Sequence, residues 1–373
     1  LYSAGTITYS SDTITSCGPY TWTNGVTYTT SNNTAKDTFV NAAGCDSIVT
    51  LNLMITSQHN QIGSDIDGSA KESFLGRYVI LSGDGRTLAS LDRSGNLIVY
   101  KNTGVIWSQI GIFSLGRRIL VGTRFSLNYD GSIIAFGDPD YTIPSPRNKL
   151  GFSHGRIRVY KKINSSWTQL GSDIIGLNHG DRIGASVSLS LDGTNIVSGG
   201  FSGNSSKGLA RIYKYTNGTW TQQGSDIKGE ASGDKFGSSV SISSDGSIVA
   251  IGAPLNDGNG NAAGHVRIYK DSSGTWTQVG IDIDGEGYDD ESGRSISLSS
   301  NGNIVAIGAG NNDANGSLQM NYGHVRIFKN ISGSWTQVGS DIDGEAVGDG
   351  SGRSISLSSD GSTVAIGDRG GYN

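Results

Sequence analysis

Five prolines in 373 residues are too few for a Pro-rich linker, and no run approaches 18 consecutive apolar residues, so no membrane-spanning helix is expected. A 3.6-residue apolar period is missing throughout, and helices are not expected either. Basic charge is also short. The formal net charge is −5, which offers no surface for a phosphate backbone, so neither nucleic acid nor membrane insertion is expected. Cysteine is confined to Cys17 and Cys45. That pair fits either a disulfide, favoured in an oxidising compartment, or two free thiols. The start at Leu1 carries no charged segment or signal sequence and reads as a cut or mature end.

What the chain has in quantity is glycine, 57 residues, against 35% hydrophobic and 16% charged residues. This is the balance of a turn-rich, strand-rich protein. The glycines follow a repeat. An Asp-Gly or Asn-Gly dipeptide begins at Asp84, Asp130, Asp192, Asp245, Asn301 and Asp360, and a glycine precedes each by eight residues, at Gly76, Gly122, Gly184, Gly237, Gly293 and Gly352. A Trp-Thr/Ser-Gln-Xaa-Gly segment starts at Trp107, Trp167, Trp220, Trp276 and Trp335, with His59 where a sixth tryptophan would fall. Repetition in a fixed order means one supersecondary unit copied along the chain.

Period-two alternation places four short strands in each unit. The first, such as 354–358, has Ile355 and Leu357 on one face and serines on the other. The Asp-Gly dipeptide predicts a tight hairpin turn with positive φ. The second strand, such as IVAIG at 248–252, is apolar on both faces and reads as buried. The third ends in Tyr100, Tyr160, Tyr213, Tyr269 or Phe328, and the fourth opens with the tryptophan. A four-stranded sheet cannot bury both faces alone, and copies packed about an axis bury them and protect the edges.

The expected fold is therefore all-β, a β-propeller of four-stranded antiparallel blades over 57–373. It would have six blades, or seven in the uncut protein, with the last incomplete. Residues 61–68 read as a lone fourth strand able to complete that last blade. Residues 1–56 alternate differently, in TITYSSDTITS, TWTNGVTYTT and DSIVTLNLMI, and predict a small antiparallel, sandwich-like (Ig-like) module; a Cys17–Cys45 disulfide would offset its small core.

FGSSVSISSDGSIVAIGAP, residues 236–254, resembles the FG-GAP repeat of integrin α-subunit propellers, with Phe236-Gly237 and Gly252-Ala253-Pro254 at its ends. The other copies keep the glycines and strands but vary the Phe and Pro, so the chain resembles a divergent bacterial relative over roughly 58–373. The N-terminal part, with Cys17, Tyr20, Trp22 and Gly44 to Ser47, resembles a module of large secreted and cell-surface proteins of Bacteroidetes. Such proteins are typically exported by type IX secretion. The resemblance implies a fragment of a longer adhesin, located extracellularly or at the cell surface.

In a propeller the loops between second and third strands share one face with the connections that follow the fourth strands, and length variation marks that face for contact. Its polar residues, Asp138, Asp140, Asn256, Asp257, Asn259, Asn311, Asn312 and Asp313, are candidate ligand contacts for a glycan or a cell-surface protein. Asp284, Glu286, Asp289, Asp343, Glu345 and Asp349 are candidate Ca²⁺ ligands by oxygen density. They lack the spaced acidic calcium loop of many integrin repeats. His265 and His324 share a repeat position with Asn96, Arg156 and Leu209, and read as exposed or edge-strand residues; His154 and His179 are isolated in loops. No metal spacing or nucleophile–base pair emerges.

A sialidase-like reading fails on the missing tryptophan after each SSDGS-like turn, and Arg77, Arg294 and Arg353 recur as blade-packing residues. The tryptophans read as cover for the seams between blades, with glycan stacking as the sharper alternative. The composite expectation is a non-enzymatic extracellular binding region of a large adhesin, with secretion machinery a further candidate partner. A glycan-processing enzyme on the same face and a structural spacer are the competing readings.

Overall fold

The computed structural model describes residues 7–16, 20–40, 46–55, 61, 63–68, 73–76, 78–114, 125–143, 153–313 and 320–368, with the backbone alone at Asn204. Cys17 and Cys45, and with them the expected disulfide, lie outside the described residues, as do Arg77 and Gly122. The chain divides into two compact units, Leu1–Ser64 and Asp65–Asn373.

In the first unit, Asp46–Ile55 is the central strand of a three-stranded sheet, flanked by Thr8–Ser16 and Lys36–Val40. Thr8–Ser16 runs parallel to it, with Asp12 opposite Leu51, so the sheet is mixed and not wholly antiparallel as expected. The long stretch between these two strands allows that pairing, which a hairpin could not make. A short hairpin pairs Tyr20–Thr21 with Thr27–Tyr28 around Asn24-Gly25. Between hairpin and sheet sits a small core of Trp22, Leu51 and Leu53, with the Trp22 indole N–H donating to Asp12 Oδ2 at 2.8 Å.

The second unit is a β-propeller. Five blades follow one another, each with its strands hydrogen-bonded in chain order, and a sixth consists of Ser354–Leu357 and Val364–Gly367. In the fourth blade, for example, Ser239–Ile242, Ile248–Ala253, His265–Ser272 and Thr275–Gln278 pair antiparallel in sequence. First strands of successive blades lie side by side from the first blade to the sixth.

The fourth strand departs from expectation. In the second to fifth blades it breaks after the tryptophan segment, where Gly171, Gly224, Gly280 and Gly339 take positive φ, and a two-residue second half such as Ile283–Asp284 returns to pair with the start of the third strand. Residues 61–68 were expected to form such a strand. Their described members carry none.

The Asp-Gly turn is also wider than a two-residue hairpin. Only its glycine adopts positive φ, 77° at Gly246. Asp245 Oδ1 accepts from the Ser243 hydroxyl at 2.6 Å and the Ser247 N–H at 2.9 Å, while Ser243 Oγ accepts from the Ile248 N–H at 2.9 Å. The carboxylate thus organises a turn that its backbone alone would not hold. Successive turns are then linked. Tyr129 N–H donates to Leu191 O, Leu191 N–H to Ser244 O, Ser244 N–H to Ser300 O and Ser300 N–H to Ser359 O.

The core lies between blades. Ile133 and Val159 of the second blade pack with Val187, Ile196 and Tyr213 of the third, and Ala250 and Ile268 of the fourth pack with Val305, Ile307 and Phe328 of the fifth. The second strand, with Val249 to Ala253 all buried, supplies both faces, as its unbroken apolar character predicts. Serines on the first strands carry the polar side of the seam: Ser186, Ser239 and Ser295 donate to the carbonyls of Gly237, Gly293 and Gly352 in the next blade. The tryptophans lock the outer edge. Trp167, Trp220, Trp276 and Trp335 each donate an indole N–H to a carbonyl of the preceding blade, at Ile110, Leu170, Gln223 and Val279.

Candidate functional site

The loop rim is built by hydrogen bonds between two sets of segments. The connection entering each blade bonds to the loop between the second and third strands: Gly180 N–H reaches Ser153 O, Gly233 N–H reaches Ser206 O, Asp289 N–H reaches Asn261 O, and Gly350 N–H reaches Asn321 O. Each connection is turned by an aspartate one position per repeat, at Asp181, Asp234, Asp290 and Asp349. Each carboxylate accepts backbone N–H groups of its own loop, among them Asn178, Ala231, Gly287 and Ala346. Loops of unequal length are therefore held on one rim.

The eight candidate ligand contacts all stand on this rim, and each has an intramolecular partner. Asp138 is buried and pairs with Arg156 at 3.2 Å, and Asp140 pairs with Arg182 across 42 residues. Asn256 donates to Asp234 Oδ2 at 3.0 Å, and Asn312 donates to Asp290 Oδ1 at 3.1 Å. Asp257 accepts from Ala262 N–H, and Asp313 accepts from Met320 and Asn321 N–H. Asn259 donates to Gly285 O at 2.8 Å, and Asn311 accepts from Arg353 at 2.9 Å, which fixes Arg353 as a packing residue between blades. Their first use is to stiffen the rim. Asp257 and Asn259 remain exposed on it.

The six candidate calcium ligands do not converge. Asp349 caps its own loop, Glu345 is exposed, and Asp289 sits at a positive φ of 61°. Asp284 and Asp343 stand in strand register opposite His265 and His324. Among the described residues, only Glu286 of the six enters a group of three metal-ligand residues, and that group is Glu286, His324 and Asp341. An equivalent group one blade earlier is Glu230, His265 and Asp282.

These histidines overturn their sequence reading. Each begins a third strand enclosed between two others, and each side chain is buried, with relative exposures of 1% at His265 and 2% at His324. Burial, reinforced by Arg267 at His265 and Arg326 at His324, holds both imidazoles below their ordinary range, His324 to about 4. Burial also raises the carboxyls of Asp284 and Glu286, helped by Asp282 and Asp341 respectively. Neutral imidazoles thus face carboxylates that repel one another.

Sequence reasoning compared the histidine position with Asn96, Arg156 and Leu209 and missed the second position that changes with it. Where the third strand starts with Leu209, the preceding connection carries Leu177; where it starts with His265 or His324, the connection carries Glu230 or Glu286. Arg211 was missed as well. It is fully buried beside Leu209 and holds Asp226 at 2.8 Å and Asp181 at 2.7 Å.

A family model for the FG-GAP repeat matches residues 228–269. No curated protein matches the chain. The matched segment runs from the last strand of the third blade through the third strand of the fourth, and it includes Gly237 and Ser239, which take part in the seams on either side of the fourth blade. FG-GAP repeats build propeller-like binding folds, typically non-enzymatic, and occur in extracellular proteins. No helix among the described residues is long and apolar enough to cross a membrane.

Proposed function

We propose that this chain is a non-enzymatic, extracellular binding region of a large secreted or cell-surface bacterial protein, in which the propeller offers its loop rim to a glycan or a cell-surface protein. The observation that carries this reading is the rim itself: loops of unequal length, each pinned by hydrogen bonds to the connection beside it. Pinned loops lose little entropy on contact, which favours recognition by a preformed surface. The N-terminal resemblance to Bacteroidetes surface modules, with type IX secretion as the export route, supports an extracellular setting.

The test is binding of the purified chain to glycan and cell-surface protein arrays. Selective binding is expected, and replacing loop 256–264 by the short turn 92–95 of the first blade should abolish or redirect it. A correctly folded protein that binds nothing on either array would leave the spacer reading in its place.

A further inference from the structure

We propose that the seams between the third and fourth blades and between the fourth and fifth blades each hold one divalent transition-metal ion, Zn²⁺ by its donor set, on Glu230, His265 and Asp282 in one seam and on Glu286, His324 and Asp341 in the other. Within each group the potential ligand atoms all lie within 4.8 Å of one another. His265 Nδ1 is 3.5 Å from Asp282 Oδ2, and His324 Nδ1 is 3.7 Å from Asp341 Oδ2 and 3.9 Å from Glu286 Oε2. Around one Zn²⁺, ligand atoms about 2.0–2.2 Å from the metal stand a little over 3 Å apart, so a small inward shift closes the site.

The acids are set up as ligands usually are, with one oxygen anchored and one presented. Asp282 Oδ1 and Asp341 Oδ1 accept from Gln278 and Gln337 at 2.6 Å each, which leaves Oδ2 facing the imidazole. Glu286 Oε1 faces Arg326 at 3.5 Å and leaves Oε2 to the site. The glutamates are half-exposed, at 55% and 46%, which provides entry for the ion and room for water ligands.

Two further observations separate this from a solvated acid cluster. Each imidazole is nine-tenths buried or more and turns Nδ1 toward the acids of its group. Glutamate and histidine also appear together in two seams and are replaced together by Leu177 and Leu209 in a third, although they lie on different blades. Solvation does not require that pairing, and a shared ion accounts for it. The imidazole nitrogen selects against Ca²⁺, which takes six to eight oxygens.

Calorimetric titration of the chelator-treated full chain with Zn²⁺ tests the proposal. Two equivalents should bind in the wild type. His265→Leu and His324→Leu, which copy the residue found at Leu209, should each remove one equivalent, and the double variant should remove both, with unchanged circular dichroism. If a leucine variant does not fold, Glu230→Gln and Glu286→Gln should each weaken one site at least tenfold. Absence of saturable binding, displacement by equimolar Ca²⁺, or an unchanged count in the double variant would overturn it.

Discussion

The Ser239 hydroxyl donates to the carbonyl oxygen of Gly293, 54 residues away, at 2.6 Å. The same carbonyl lies 2.1 Å from where a Cβ on Gly252 would stand, and the Ser239 hydroxyl lies 2.4 Å from it. A glycine in the second strand therefore makes the space that a serine in the first strand uses to reach the next blade. Gly199 with Ser186 and Gly308 with Ser295 repeat the arrangement at other seams.

Gly252→Ala should accordingly cost about 1–3 kcal/mol, as overpacking does, and Ser239→Ala about 1 kcal/mol. The double variant should cost less than the two added together, since both changes act on one carbonyl. Urea unfolding of the four proteins measures this, and strict additivity would mean that the seam is looser than described.

Among the described residues, Arg211 is the one arginine of its repeat position held on both sides by carboxylates, and Asp181 beside it is only 2% exposed. Arg211→Met should destabilise by about 3–5 kcal/mol, because a buried carboxylate is left without its partner. Adding Asp181→Asn should return part of that loss. Thermal unfolding of the single and double variants distinguishes this from a simple packing defect.

Trp335 should be more important than its partial exposure suggests. Trp335→Phe removes the bond to Val279 O, seen at 3.0 Å, and should cost about 1–2 kcal/mol; Trp335→Ala should cost more, by loss of packing against the fourth blade. Equal losses in the two variants, measured by denaturant midpoint, would show that the indole N–H contributes nothing.

His324 predicts a pH dependence with a definite sign. Its folded value of about 4 lies below an ordinary unfolded value of 6.5, so the unfolded chain binds the proton first as pH falls. Stability is therefore whole above pH 6.5 and declines toward pH 4, by up to about 3 kcal/mol. Glu286, whose carboxyl is raised by burial and by Asp341, acts in the opposite direction over acid pH. The comparison that isolates the histidine is wild type against His324→Leu without metal. The wild type should lose stability relative to the variant between these two pH values, and parallel curves would refute the burial argument.

Much of this protein is set by its own sequence. The recurring Asp-Gly turns fix how many blades the chain starts, the unbroken apolar run at 248–252 fixes which strand is buried on both faces, and the repeated tryptophan marks the outer edge that the structure locks to its neighbour. These follow from short-range periodicity, which is written in consecutive residues. Tertiary structure alone decided the mixed sheet around Asp46–Ile55, the broken fourth strand, and the meeting of Glu286 with His324 and Asp341. Partners on different blades meet only because whole sheets pack at a particular spacing and tilt, and no local pattern encodes that distance. The burial of His324 likewise comes from the strands on either side of it, which is why a residue of polar type in an alternating strand read as exposed until the blade was assembled.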